Sequence, residues 1–519
     1  MQRSGFDMDI LNQFDGKING TLETFDRIII NGYIQPLHSF RLFLYYLIQK
    51  NILLKDFDSF ARAQTDTLCS HIENYIRQQG CTLAYLNSGQ IDKGESARQV
   101  YESHPDRTGL VCAFSVVEPC KTMTVKPNRD TKKLEVVSRT TKCKHYYLYY
   151  NDEEFGWMFL KIQTWFPYNI QIYLNGREYL SRLLLKEDIP FAMYNNSFSY
   201  IEDFERAQEL ADSVLNKKLS ASFDGMAQTL NCLLPDIMET LHHSYYWCVD
   251  QCEFATDINF KSREELSRFY KTLVETTYFT FSSHDIYSFF GRNVGKIHTF
   301  RKGEIISDLR HRYQGYRIKF KINKNQIKMY DKGNNLRIEV TINNPKDFKI
   351  PKTKEKVQDG KIVSSMEWVP MGKSIANLYR YVEISRAITK RYLAAVPDIP
   401  MGKVPQKEVM AVCAPKEVGK RRYSGFNLLS EETVLVLKTI ASGDFILNGF
   451  DNKSLRRRVC KNSEEKKAIN KTTRLLSKLK AHGLIKKVPH KNRYYLTSRG
   501  RDITNALLLF LNRELLNAA

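Results

Sequence analysis

Five residues with reactive side chains, Tyr330, Asp331, Lys332, Arg337 and Glu339, fall within ten positions of the stretch IKMYDKGNNLRIEVTI, residues 327–342. A phenol, two carboxylates and two cations are groups that a polar site working on phosphate or a divalent ion draws on. The same set also suits the wet face of an ordinary strand pair, where opposite charges pair across the strands. The runs IKMYDK and LRIEVTI alternate around GNN, which predicts a β-hairpin. Alternation puts Tyr330 and Asp331 on opposite faces of a straight strand, so only a bulge lets both serve one face. Asp331 and Glu339 face one another only in a suitable register, which the sequence leaves open.

The chain that must position these residues has 519 of them, enough for about two to four domains. Its 42% hydrophobic and 26% charged content is ordinary for a globular protein, but a net charge of +22 is not. Such a surplus favours a polyanion, either nucleic acid or an anionic membrane. The opening MQRSGFDMDILNQFDGKING has no apolar signal core, and the longest apolar run, LFLYYLI, is too short to span a bilayer. Nucleic acid is therefore the expected partner, with no membrane, and the cytoplasm or nucleoid is the expected location. The ten scattered cysteines fit reduced thiols. His242, His243, Cys248 and Cys252 come nearest to a zinc pattern, yet no second ligand pair accompanies them. They are expected to be core residues.

The fold class expected is α+β: a multidomain body of mixed and antiparallel sheets with a further C-terminal domain. An N-terminal α+β domain is expected over 1–215, a central α+β domain carrying the hairpin over 216–400, and a basic linker over 401–425. In the first domain, Trp165, Phe166, Tyr168 and Tyr173 interleave with Gln163, Asn169, Gln171 and Asn175. These are either core or a platform that stacks bases and hydrogen-bonds their edges. Around the hairpin, Tyr313, Tyr316, Phe320 and Tyr330 alternate with Lys and Arg, which suits tracking of a nucleic-acid backbone.

From residue 426 to 519 the pattern predicts three helices, two strands around a turn, and a last helix. Ser430 and Ser463 are expected caps, and Gly483 ends the third helix. This order, and the phrase LLSKLKAHGLIKKV…RYYLTSRG above all, resembles bacterial winged-helix domains. Between Lys453 and Arg501 stand 17 Lys and Arg against two Glu, a surplus of 15. In that family the third helix enters a DNA groove and the wing touches backbone or minor groove. The resemblance implies Lys471, Thr472, Thr473, Arg474 and Lys478 on the recognition helix. It implies Lys487, His490, Lys491 and Arg493 on the wing, and Arg456, Arg457 and Arg458 as phosphate clamps. A solvated module that binds protein is the alternative. DNA is preferred, and structured RNA stays open.

The combination YDKxxxxLRxE is similar to a pattern in non-HUH rolling-circle replication initiators of plasmids and phages. That resemblance implies Asp331 and Glu339 as catalytic carboxylates holding Mg or Mn, which take hard oxygen ligands. It implies Tyr330 as nucleophile or stacking group, with Lys332 and Arg337 on phosphate. An ion-paired hairpin is the plainer reading. Asp26, Glu118, Glu253 and Asp257 are further acids that a metal-dependent nuclease core or simple strand-end solvation would equally place there. The sequence carries no HUH triplet, no GxxxxGK[ST] loop, no GxSxG elbow and no HExxH helix.

Three functions follow from these features. The first is a nucleic-acid-binding protein of mobile-element or replication type that uses its basic winged helix. The second is a metal-dependent nuclease or nickase, and the third a transcriptional regulator, for which a body of this size is unusual.

Overall fold

The computed structural model describes residues 16–504 apart from short stretches, the longest being 271–282 (Leu273 excepted), 292–304 and 396–405. The chain forms two compact units of mixed α and β structure. An N-terminal unit comprises Leu22–Ala255 and Thr341–Ile384, and a C-terminal unit comprises Met1–Thr21, Thr256–Val340 and Ser385–Ala519. These units do not coincide with the division at 215 and 400 expected from the sequence. Three strands each give residues to both, so no Pro-rich or polar linker marks the passage.

In the N-terminal unit the strands are β1 (Ile18–Tyr33), β2 (Leu83–Tyr85), β3 (Gly109–Pro127), β4 (Leu134–Asp152), β5 (Gly156–Gln163) and β6 (Ile170–Leu174). A small separate hairpin is formed by β7 (Phe191–Tyr194) and β8 (Ser197–Ile201). With the first part of β9 (Tyr246–Phe260), the main order is β9–β1–β6–β5–β4–β3–β2. β2 joins β3 in parallel, whereas β3, β4, β5, β6 and β1 pair antiparallel. The helix Phe57–Gln78 buries Phe57, Ala61, Leu68, Ile72 and Ile76 along one stripe, as a helix lying on a core requires. Phe166 closes that core edge-on to Phe43, with ring centroids 5.2 Å apart.

In the C-terminal unit β10 (Ile305–Arg312), β11 (Gly315–Ile322) and β12 (Asn325–Lys332) form an antiparallel meander, and β13 (Asn335–Ile342) lies beside β12. Ile318, Phe320, Ile322, Ile327 and Met329 make its apolar face. Tyr392 of the helix Leu378–Ala395 packs on Phe320 and Phe289 of that core.

Beyond it the chain builds a module with its own core. Its helices are Glu431–Ile440, Asn452–Val459 and Lys466–Ala481, followed by paired strands Ile485–Lys487 and Tyr494–Leu496. Phe450 bridges to Tyr494 and adds a third short edge. Val436, Leu437, Phe450, Leu455, Leu476, Leu479, Ile485 and Leu496 are among the residues buried together. The segment expected as a linker is folded from residue 406 onward, as the helix Gln406–Cys413 and the hairpin Lys416–Val418 with Arg421–Tyr423. Val412 belongs to the module core, which anchors that segment. Ser430 caps its helix as expected (Thr433 N–H to Oγ, 3.3 Å), and Gly483 ends the third helix at φ +74°. Ser463 lies outside the described residues.

Candidate nucleic-acid interface and carboxylate sites

The hairpin forms as its alternation requires, and that alternation separates the two carboxylates. Along β12, Asn325, Ile327, Met329 and Asp331 are buried, while Gln326, Lys328, Tyr330 and Lys332 are half-buried on the other face. Gly333 turns the chain at φ +66°, a conformation that L side chains rarely adopt. Glu339 sits with the second set. Its carboxylate accepts a hydrogen bond from the Tyr330 hydroxyl and pairs with Lys328. Asp331 points to the core side, where its carboxyl is raised by burial, with Arg263 pulling the other way. Asp331 and Glu339 are therefore not brought together as a metal pair: a period of two on a strand without a bulge forbids it. Arg337 is 1% exposed, so it is a buried cation and not a surface phosphate contact. Lys332 lies over the Tyr330 ring, 5.8 Å from its centroid.

The sequence pattern RIKFKI has a larger consequence. Arg317, Lys319 and Lys321 of β11 stand opposite Tyr330, Lys328 and Gln326 of β12, and Lys319 stands opposite Asp308 of β10. Facing residues share a side of the sheet, so these cations form one field together with Arg310 and Lys332. Asp308 pairs with Arg317 (2.7 Å) and Arg310 (2.9 Å). Lys319 loses proton affinity, first through burial and then through Arg317, Lys328 and Lys321. Asp308 pulls the other way. Tyr313 and the side chain of Tyr316 lie outside the described residues, and Phe320 belongs to the apolar face. Of the four ring residues expected to track a backbone, Tyr330 is the one described on the polar side.

In the terminal module the helix Lys466–Ala481 buries Thr472, Leu476 and Leu479. The opposite side carries Lys466, Lys467, Asn470, Lys471, Thr473, Arg474 and Ser477, all exposed. Lys471 is tied to Glu432 at 2.7 Å, and Thr473 accepts a hydrogen bond from Asn452. Arg457 is open to solvent, and Arg458 lies over the Phe445 ring at 4.6 Å. Arg456 is buried and bonds Asn452, so helix phase turns it away from the surface a phosphate clamp needs. Lys478 likewise donates to the Gly425 carbonyl (2.9 Å) and covers the Phe426 ring. On the hairpin, Lys486, Lys487, His490 and Lys491 are exposed and Arg493 is half-buried.

Other candidates resolve differently. Phe166 and Tyr168 are fully buried, and Tyr173 stacks on Phe159. Gln163 is spent on the carbonyls of Lys121 and Trp165, and Asn175 caps a helix. Gln171 donates to the Asn31 side chain and Asn169 meets His38, so the aromatic stretch is core with its amides spent inside the protein. His243 bonds the Leu241 carbonyl, and the set His242, His243, Cys248 and Cys252 gathers no ligand cluster among the described residues. Glu118 receives Lys161, Tyr147 and Lys93. Within the N-terminal unit, by contrast, Asp26 on β1 and Glu253 on β9 are buried with carboxylate oxygens within 4.8 Å of each other. Arg177 and Asn196 hold Asp26, while Arg27 and the Thr341 hydroxyl hold Glu253. The sequence offered both acids singly, but only the pairing of distant strands joins them.

No protein-family model matches the chain, and neither a curated protein nor a solved structure does. Among the described residues no helix is long and apolar enough to cross a membrane.

Proposed function

We propose that this chain is a nucleic-acid-binding protein, with DNA preferred over structured RNA, acting in replication or in a mobile element. Binding uses the terminal module as a winged helix. The observation that carries this is the division of the helix Lys466–Ala481 into one apolar side locked in a core and one exposed side rich in Lys, Asn, Thr and Arg. Such a side supplies phosphate contacts and groups able to reach base edges. In a mobility-shift titration with duplex DNA, single-stranded DNA and RNA, the protein should shift duplex DNA most tightly. Lys466→Ala with Arg474→Ala should weaken that shift about tenfold or more. Equal affinity in the double variant would remove this helix from the interface.

A second reading, metal-dependent strand cleavage, is favoured by two separate observations. In the C-terminal unit Glu339 is placed to take the Tyr330 proton while the phenolic oxygen attacks a phosphorus atom and a sugar hydroxyl leaves. In the N-terminal unit Asp26 and Glu253 present hard oxygens suited to Mg2+ or Mn2+. With Mg2+, Mn2+ or EDTA, denaturing gels of labelled DNA decide. A protein-linked strand lost in Tyr330→Phe, or metal-dependent shortening lost in Asp26→Asn or Glu253→Gln, supports cleavage. Intact strands under every metal leave a binding protein.

A further inference from the structure

The long β3–β4 hairpin of the N-terminal unit gathers two thiols and an imidazole that neither binding nor cleavage uses. Cys120 pairs with Thr141 and Cys143 with Glu118, so the cysteines are diagonal neighbours on one face. His145 is the next residue of β4 on that face, opposite Val116 on β3 and Gln163 on β5. The sulfurs of Cys120 and Cys143 lie 2.8 Å apart, and Cys143 Sγ lies 3.9 Å from His145 Nδ1. The ligating atoms of all three residues fall within 4.8 Å of one another. His145 is buried with Nδ1 against the Cys143 carbonyl at 3.2 Å, whereas both thiols are half-buried.

We propose that Cys120, Cys143 and His145 bind a zinc ion on this hairpin, with the fourth position left to water or an exogenous ligand. Tetrahedral zinc takes sulfur at about 2.3 Å and nitrogen at about 2.0 Å, so its ligand atoms lie roughly 3.5 to 4 Å apart. The Cys143–His145 contact at 3.9 Å already has that spacing, and the two sulfurs, 2.8 Å apart, must separate by about 1 Å to reach it. Thiolate and imidazole select zinc over magnesium or manganese, so this site is chemically distinct from any carboxylate centre. Glu118 stands opposite Cys143 but is not among the residues whose ligand atoms cluster, and Lys161 and Tyr147 hold it. Each thiol that binds the ion releases its proton to water.

The test uses full-length protein purified under reducing conditions and assayed for bound metal. About one zinc per chain is expected, together with a thiolate-to-metal charge-transfer band when the stripped protein is titrated with Co2+. Cys120→Ser and Cys143→Ser should each lower zinc affinity at least tenfold, and His145→Asn should weaken it similarly. Cys248→Ser, altered on β9, should keep the metal. The cobalt spectrum of the unaltered chain needs no variant, so a misfolded substitution does not spoil the test. Absence of the band, zinc retained by both serine variants, or peptide mapping that finds Cys120 joined to Cys143 with no metal bound would overturn the proposal.

Discussion

At the scale of single residues, the pleat of β12 decides what each carboxylate of the hairpin meets. The sequence marks Asp331 and Glu339 as near neighbours, but the pleat sends one to the core side and the other to the Tyr330 side. Asp331 then carries a cost. Its folded carboxyl titrates above the ordinary 3.8 because burial disfavours the charge. For an acid shifted upward, the contribution to stability is intact below the unfolded value and is lost as pH rises through the folded one. Asp331→Asn should therefore be at least as stable as the parent at pH 7, with no advantage near pH 3, as urea midpoints would show. A lower midpoint at pH 7 would mean that the carboxylate is held by a partner. Glu118 has the opposite sign. Burial alone would raise it, but Lys161 and Tyr147 draw it from 4.5 down to about 2. Its contribution is full above the unfolded value and is lost as pH falls between about 4.5 and about 2. Glu118→Gln should cost roughly 1 to 2 kcal/mol at pH 7, solvent screening of the part-exposed pair reducing the full linkage value, and the deficit should close on approaching pH 2. A deficit constant with pH would assign the loss to packing instead.

At the scale of elements, periodicity read the helices of the terminal module well because each is short, amphipathic and bounded by caps or glycine. What it could not supply was helix phase against a core whose other half lay elsewhere in the chain. Arg456 and Lys478, assigned to DNA by correspondence with the winged-helix pattern, instead meet Asn452 and the Gly425 carbonyl. The helix Lys466–Ala481 makes the distinction measurable. Leu476→Ala removes a buried side chain and should cost about 2 to 5 kcal/mol, read as a lower unfolding midpoint of the module. Arg474→Ala on the far side should change stability by no more than about 0.5 kcal/mol while weakening binding. If Arg474→Ala unfolds the module as Leu476→Ala does, the outward face is not a free surface. The β3–β4 strands show the complementary limit: the cysteines stand far apart in sequence, and only the register joins Cys120 to Cys143 and His145.

At the scale of the whole molecule, the +22 charge fixed the expected partner class and the surplus over 453–501 fixed one place for it. The strands that belong to both units hid the division into units, because no change of composition marks where β1, β9 and β13 pass from one unit to the other. The basic stretch around the hairpin gives a second set of cations in the C-terminal unit, on one side of β10–β12 around Lys319, which the overall count could not separate from the first. Salt dependence separates them. Each duplex phosphate that the protein no longer neutralises lowers the slope of log K against log salt by about 0.9. Alanine at Arg457, Lys466, Arg474 and Lys487 should therefore reduce the slope by up to about 3 or 4. Alanine at Lys319, Lys321 and Lys332 should reduce it by up to about 3 if the sheet field holds the same DNA. The two reductions should then add in the combined variant. A sheet variant with the parental slope confines binding to the module. A module variant with the parental slope, beside a sheet variant that lowers it, moves the interface to the strands and ends the winged-helix proposal.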